Sequence, residues 1–308
     1  MLPRILVVTG PTASGKTAAA LELCLRLGGE LVSADSMQVY RGMDVGTAKS
    51  GLEERLGVPH HLIDILDPDQ PFSVADYATA ARTALRDILA RSRVPVVCGG
   101  TGQYISALVD ELVFHASPPD EIVRERLQDD AEALGNAAML ERLRRIDPEA
   151  AGRLHMNDRR RILRALEVYE TTGRTFTEMN RLSHPAVREF DFRTYVLNLD
   201  KETLYRRCDL RVDQMMERGL LQEVEGLLAK GILPTAQSMQ AIGYKELVVY
   251  LEGKSSLEES IAQIKQSTRN YAKRQLTWFR GFKEASWIDL ESLPELEIPE
   301  TILSGFIL

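Results

Sequence analysis

Residues 10–17 read GPTASGKT and match G-x-x-x-x-G-K-[ST] at every fixed position. An apolar run, residues 5–8, precedes them, and a helix-forming stretch, residues 18–27, follows. That strand–loop–helix setting is the context in which the motif cradles phosphate. The loop must pass close around phosphate oxygens, so Gly10 and Gly15 stand where a Cβ would clash or a positive φ is needed. Successive backbone N–H groups and the start of the following helix point at the anion. The candidate phosphate or diphosphate binders are Gly10, Pro11, Thr12, Ala13, Ser14, Gly15, Lys16 and Thr17. Lys16 brings a movable positive charge, and the Thr17 hydroxyl is able to ligate Mg²⁺. The motif does not say whose phosphate is held, and nucleotide binding, with ATP as the ligand, stays open beside free diphosphate.

A chain of 308 residues exceeds the usual single-core size, so one large core with an insertion is expected. An apolar fraction of 44% and a charged fraction of 27% are those of an ordinary globular protein. No stretch approaches the roughly 20 apolar residues of a membrane span. The first strand begins almost at the N-terminus, which leaves no room for a signal peptide. Cys24, Cys98 and Cys208 are far apart and form no C-x-x-C pair, so neither a zinc site nor a disulfide framework is expected. The cytoplasm is the expected compartment. A net charge of −7 argues against a nucleic-acid partner unless the cations are locally clustered.

The first hundred residues read as repeated β–α units, with strands expected at residues 5–9, 30–34, 62–66 and 94–98. Helices are expected at residues 18–27 and 75–91, the latter from the three- and four-residue spacing of Ala78, Ala81, Leu85, Ile88 and Leu89. Such alternation predicts a parallel sheet covered by helices. The character changes near His115. From Pro118 to about residue 182 only helical patterns are found, at 121–134, 138–145, 148–155 and 158–171. Asp147 and Pro148 look like an N-cap followed by a first-turn proline. The sheet resumes at residues 194–199, one long amphipathic helix is expected over 201–230, another over 257–282, and a last strand at 286–288. The expected division is a first core segment (1–115), an all-helical insertion (116–188) and a second core segment (189–308).

Asp35 follows the second strand, where a doubly wound sheet presents its ligand crevice. A carboxylate there could assist Mg²⁺ or act as general base, and a turn or N-cap aspartate is the bland alternative. The polar neighbours Ser33, Ser36 and Gln38 favour a site. GGTGQY, residues 99–104, ends the fourth strand and offers the Thr101 hydroxyl, although a plain strand-to-helix turn has the same residues. Val97, Cys98 and Gly99 stand where an ATPase or GTPase would carry a carboxylate. Arg211 suits bidentate binding of diphosphate, while its charged neighbours suit a solvated helix face equally well. Two basic runs stand out: Arg153 to Arg164, and Arg269 to Lys283 with Tyr271, Trp278, Phe279 and Phe282 interleaved. Cations with aromatics suit single-stranded RNA, whereas aromatics at helical spacing are more often core.

Taken together, GPTASGKT (10–17), SADSMQVYRGMDVGTAK (33–49), PHHLIDILDP (59–68), FSVADY (72–77), VCGGTGQY (97–104), NDRRRILRALEVYETTGR (157–174), QAIGYKE (240–246) and KRQLTWFR (273–280) resemble the tRNA dimethylallyltransferase family. The segments come in family order across nearly the whole chain. The resemblance implies a P-loop NTPase-like core that grips diphosphate rather than ATP. It implies transfer of a dimethylallyl group from dimethylallyl diphosphate to N6 of the adenine 3′ of the anticodon, in tRNAs reading codons that begin with U, with Mg²⁺ required. It implies Asp35 as general base, with Thr12, Thr101 and Arg211 completing the catalytic set. It carries tRNA contact over to Asp35, Ser36, Met37, Gln38, Thr101, Arg159, Arg160, Arg161, Ile162, Leu163, Gln240, Ala241, Ile242, Gly243, Tyr244, Lys245, Lys273, Arg274 and Arg280, with Arg124 a further contact from the insertion. The tRNA anticodon stem-loop and dimethylallyl diphosphate are the implied partners of a monomer without membrane attachment. A C-terminal zinc finger, frequent in eukaryotic members, has no Cys/His spacing here, which implies the bacterial type.

Other classes account for part of the pattern. A small-molecule P-loop kinase would share the first hundred residues but not need the basic insertion or KRQLTWFR. An adenylate isopentenyltransferase would share the chemistry without an extended tRNA surface. A non-catalytic RNA adaptor would not need Lys16, Thr17 and Asp35 intact together.

Overall fold

The computed structural model describes residues 2–114, 120–292 and 297–307. The elements, in chain order, are β1 (Arg4–Thr9), α1 (Lys16–Leu27), β2 (Glu30–Ser33), β3 (His60–His61), α2 (Val74–Ala90), β4 (Pro95–Gly99) and α3 (Gly102–Val109). Then come α4 (Glu121–Ile146), α5 (Pro148–Gly152), α6 (Arg159–Thr172) and α7 (Phe176–Leu182). The chain closes with β5 (Asp191–Asn198), α8 (Lys201–Glu217), α9 (Leu220–Ala229), α10 (Tyr244–Leu251), α11 (Leu257–Phe279), β6 (Ser286–Asp289) and α12 (Ile298–Ile307). The chain forms two compact units, Met1–Val109 with Glu189–Leu308, and Asp110–Arg188. The boundary expected at His115 lies outside the described residues.

The strands form one sheet in the order β3-β2-β4-β1-β5-β6, with every pairing parallel. Alternate residues of β1 serve opposite faces. Ile5 and Val7 join Val32, Val97 and the α2 residues Tyr77, Leu85 and Ile88 in one core. Leu6 and Val8 join Leu31, Val96, the α1 residue Leu23 and the α12 residue Ile302 in the other. A strand buried on both faces reads as a continuous apolar run, which is why residues 5–9 carried so clear a pattern. Capping boxes start α2, at Ser73 and Asp76, and α11, at Ser256 and Glu259.

Several elements differ from the sequence reading. The third strand is His60–His61 rather than residues 62–66, because Leu62 and Asp64 take left-handed backbone (φ 62° and 57°) that breaks an extended run. Only the Tyr40–Leu66 bridge marks the expected stretch. The single helix expected over 201–230 is two, α8 and α9, divided at Gly219 with φ 95°. The apolar period on either side hid the break. The helices α3, α7, α10 and α12 were not foreseen as separate elements. Within the second unit, Leu127, Leu143, Ile162 and Leu166 form a core between α4 and α6, and Asp147 caps α5 ahead of Pro148.

Candidate active site

Parallel pairing brings the carboxyl ends of four strands, β1, β2, β4 and β5, to the same side of the sheet. Thr9 lies opposite Gly99 and Val196, and Ser33 lies opposite Cys98. The loops that leave these residues therefore meet at one sheet edge, the ligand crevice of this architecture. In the loop after β1, Gly15 is left-handed (φ 82°), and a Cβ on Gly10 would come 2.7 Å from the Leu197 carbonyl. Lys16 folds back over the loop, its Nζ donating to the Pro11 carbonyl at 3.1 Å. Burial lowers the Lys16 pKa, Arg211 adds to the fall, and Asp35 and Cys98 oppose it.

The turn after β2 presents Asp35. Its Oδ1 accepts the N–H groups of Met37 (2.9 Å) and Gln38 (3.3 Å), so the turn role is real. It leaves room for a site role, because among the described residues Oδ2 has no hydrogen bond. The Thr101 hydroxyl accepts the Ser36 N–H (3.0 Å) and donates to the Ser36 Oγ (3.4 Å), tying the Asp35 turn to the turn after β4. Gln38 reaches Ser33 (3.2 Å) and donates to the Thr47 carbonyl (3.3 Å). Arg211, on α8, donates to the same carbonyl at 3.5 Å. Burial lowers the Arg211 pKa while the Asp35 charge raises it.

These groups enclose two adjoining chambers. The smaller, about 60 Å³, is lined by Lys16, Thr17, Ser33, Gln38, Cys98 and Gln275. The larger, about 310 Å³, is lined by apolar groups of Met37, Val212, Met215, Ala241, Ile242 and Ile264. Thr12, Asp35, Arg211 and Tyr271 line both and so mark the junction. Among the described residues Asp35 is the only carboxylate lining either chamber, and it faces two cations, Lys16 and Arg211. A chamber with two cations to one carboxylate is completed electrostatically by an anion.

The remaining candidates divide by position. Ser36, Gln240, Lys245 and Arg274 line the larger chamber, whereas Tyr244 is fully buried and Gly243 is buried beside Glu246. Lys273 on α11 and Arg280 just after it are exposed and line a separate cleft of about 400 Å³ with Lys201 and Tyr205. Arg124, Arg159, Arg160, Arg161, Ile162 and Leu163 belong to the helical unit. There Arg124 pairs with Glu167 (3.0 Å) and Arg159 with Glu132 (3.2 Å). Arg160 and Arg161 are exposed, and Ile162 is core at 1% exposure, so its side chain offers no RNA-facing surface.

Three residues at the site were not assigned to it from the sequence, Tyr271 having been read only as an aromatic of the second basic run and Gln275 only as part of KRQLTWFR. Gln275 and Tyr271, on α11, face the chambers, and the spacing Ile264, Thr268, Tyr271, Gln275 marks that helix face in retrospect. Burial pushes the Tyr271 hydroxyl up to about 12, with the Asp35 charge contributing, so it stays a protonated donor. Glu223, on α9, accepts the N–H groups of Asp44 (2.8 Å), Val45 (2.8 Å) and Gly46 (3.0 Å) and the Tyr244 hydroxyl, which anchors the segment carrying Thr47. No local pattern marks a carboxylate whose partners lie some 177 residues away.

The donor set of the small chamber suits a hard divalent cation. Thr17, Ser33 and Asp35 offer oxygen ligands, while no group of three or more His, Cys, Asp or Glu side chains among the described residues could cage a metal alone. An ion there would be held by the Thr17 hydroxyl and the substrate's phosphates, with the Asp35 carboxylate nearby. No helix among the described residues is long and apolar enough to cross a membrane.

Residues 38–282 match the family described as IPP transferase, and residues 3–64 match isopentenyl transferase. The tRNA dimethylallyltransferase 1 of Pelobacter propionicus is 48% identical over 288 residues, covering 94% of this chain and 93% of its own. The crystal structure of the Bacillus halodurans tRNA isopentenylpyrophosphate transferase superposes with a TM-score of 0.74 at 41% identity, covering 100% of this chain and 97% of its own. A eukaryotic dimethylallyltransferase captured acting on tRNA superposes with a TM-score of 0.80 at 31% identity, covering 98% of this chain and 77% of its own.

Proposed function

We propose that this chain, which belongs to the IPP transferase family, transfers a dimethylallyl group from dimethylallyl diphosphate to tRNA. The acceptor is N6 of the adenine immediately 3′ of the anticodon, in tRNAs reading codons that begin with U, and the products are N6-isopentenyladenosine and diphosphate. The observation that carries the reading is the junction: Thr12, Asp35, Arg211 and Tyr271 stand between a cation-lined polar chamber and a larger, partly apolar one. A prenyl diphosphate has that division, an anionic head joined to an apolar tail at one carbon.

The diphosphate lies in the small chamber against the phosphate loop, with Lys16 and Arg211 on its oxygens. The reacting carbon then sits at the junction. The adenine amine is a weak nucleophile because its lone pair is delocalised into the ring. As its N6 forms the bond to carbon, the carbon–oxygen bond to diphosphate breaks and the electron pair leaves on diphosphate oxygen. The N6 proton passes to Asp35 Oδ2, the oxygen its own turn leaves free. Lys16 and Arg211 neutralise the charge of the departing diphosphate, the largest electrostatic demand of the step. A Mg²⁺ held by Thr17, with Asp35 near it, would supply further charge neutralisation when bound. The target base stacks in the anticodon loop and must be flipped out to reach the junction. Ser36, Met37, Gln38, Gln240, Lys245 and Arg274 are the residues proposed to receive it. Arg160 and Arg161 of the helical unit, with Lys273 and Arg280, are proposed for the tRNA backbone. The protein works in the cytoplasm as a monomer.

The test supplies labelled dimethylallyl diphosphate with unmodified tRNA carrying adenine 3′ of the anticodon, and AMP as a parallel acceptor. Label on tRNA alone is expected. Label on AMP alone would instead assign an adenylate isopentenyltransferase, and phosphoryl transfer from ATP a kinase. The Cys98–Gly99 end of β4, where such a kinase would carry a carboxylate, speaks against the last.

A further inference from the structure

One buried amide joins the two halves of the site. The Gln275 side chain is 4% exposed. Its Oε1 accepts the Thr12 N–H at 2.8 Å, and its Nε2 donates to the Gly100 carbonyl at 2.7 Å. Thr12 belongs to the phosphate loop. Gly100 immediately precedes Thr101, whose hydroxyl holds the Ser36 N–H at 3.0 Å, and Ser36 follows Asp35. A short chain of contacts thus runs from the phosphate loop through Gln275, Gly100, Thr101 and Ser36 to Asp35. The fit is tight, since a Cβ on Gly100 would fall 2.3 Å from Gln275 Nε2. Tyr271, one turn earlier on α11, meets Thr101 and Gln275 on the same side. Gln275 thus lies beside the exposed cations Lys273 and Arg274 in sequence, yet is itself buried.

We infer that Gln275 is a positioning residue that sets the distance between the phosphate loop and the Asp35 turn. The inference rests on the reading of the small chamber as the diphosphate site. Neither half needs Gln275 for its own shape: the loop is built by its motif and α1, and the Asp35 turn by its own hydrogen bonds to Met37 and Gln38. What the amide adds is their separation, and bond formation at the junction is sensitive to displacements of about 1 Å.

Gln275→Glu keeps the shape and the acceptor for Thr12 but opposes an oxygen to the Gly100 carbonyl. Gln275→Met keeps the length and loses both hydrogen bonds. The full-length parent and both variants are compared for single-turnover prenyl transfer to tRNA, binding of inorganic diphosphate with Mg²⁺, and thermal midpoint. The expected result is a fall of about 100-fold in the transfer rate, with diphosphate affinity within about three-fold of the parent. Two results overturn the inference: a transfer rate within about two-fold of the parent in both variants, or a loss of rate that follows loss of diphosphate affinity and thermal midpoint together. A parent protein that neither binds diphosphate nor transfers the prenyl group sinks the reading of the chamber, and the inference with it. The conservative Gln275→Glu guards against a Gln275→Met that fails to fold.

Discussion

The arginines of the helical unit and the two cations of the small chamber in the sheet unit differ in what they face. In the helical unit, Glu167 holds both Arg124 and Arg164, Glu170 holds Arg126 and Arg142, and Glu149 holds Arg153 and Arg181. At the site, Lys16 and Arg211 share a single carboxylate, Asp35. A cation already paired must give up its partner before it can serve an anion, whereas an under-compensated one gains from it. A basic run is thus a poor guide to a basic surface when acids from other turns fill in. Among the described residues Arg160 and Arg161 have no ion pair in one unit, nor do Lys273 and Arg274 on α11 and Arg280 at its end, with Arg274 lying 5.9 Å over the Tyr271 ring instead.

The largest effect is expected from Lys16→Ala, which removes one of the two chamber cations. Affinity for inorganic diphosphate, followed by calorimetry, should fall by about 100-fold or more, and unchanged affinity would erase the contrast between the regions. The double variant Arg274→Ala, Arg280→Ala should weaken tRNA binding by about ten-fold and lower the slope of log affinity against log salt by roughly one per cation. An unaltered slope would take α11 off the RNA surface. Within the helical unit, Arg160→Ala with Arg161→Ala should lower the same slope, while Arg159→Ala should leave it alone and cost about 1 kcal/mol of stability or less, being a surface pair. Equal slopes for the two variants would contradict the distinction between paired and unpaired arginines. The smallest effect concerns pH. Burial holds Lys16 below its ordinary 10.5, so its charge, and with it diphosphate affinity, should decline as pH rises through the lowered value. A Lys16→Arg variant, charged throughout, should show no such decline; parallel profiles would assign the titration to another group.

Much of this was legible where function depends on neighbours in sequence. The phosphate loop, its flanking strand and helix, and the Asp35 turn are each local, so motif and period reveal them together. For Asp35, Oδ1 serves the turn, and among the described residues Oδ2 makes no hydrogen bond, so the turn reading does not use up the carboxylate. What stayed hidden is long-range. Gln275 reaches Thr12 across 263 positions, marked only by the spacing of its helix face, and Glu223 collects the N–H groups of a loop far upstream with nothing nearby to mark it. The break between α8 and α9 was hidden for the opposite reason, since a continuous apolar period outweighed one glycine at Gly219. The helix α10, YKELVVYL, has strand-like residues and owes its state to burial of Tyr244, Leu247 and Val248 in the core.

The central claim is that Asp35, the only carboxylate at the junction among the described residues, takes the proton from the attacking amine. The most direct test is a single-turnover assay of Asp35→Asn with labelled dimethylallyl diphosphate and tRNA, alongside binding of each substrate. The account predicts that both substrates still bind and that transfer falls by about 100-fold to 10,000-fold. Transfer at the parental rate by a variant that binds both would contradict it.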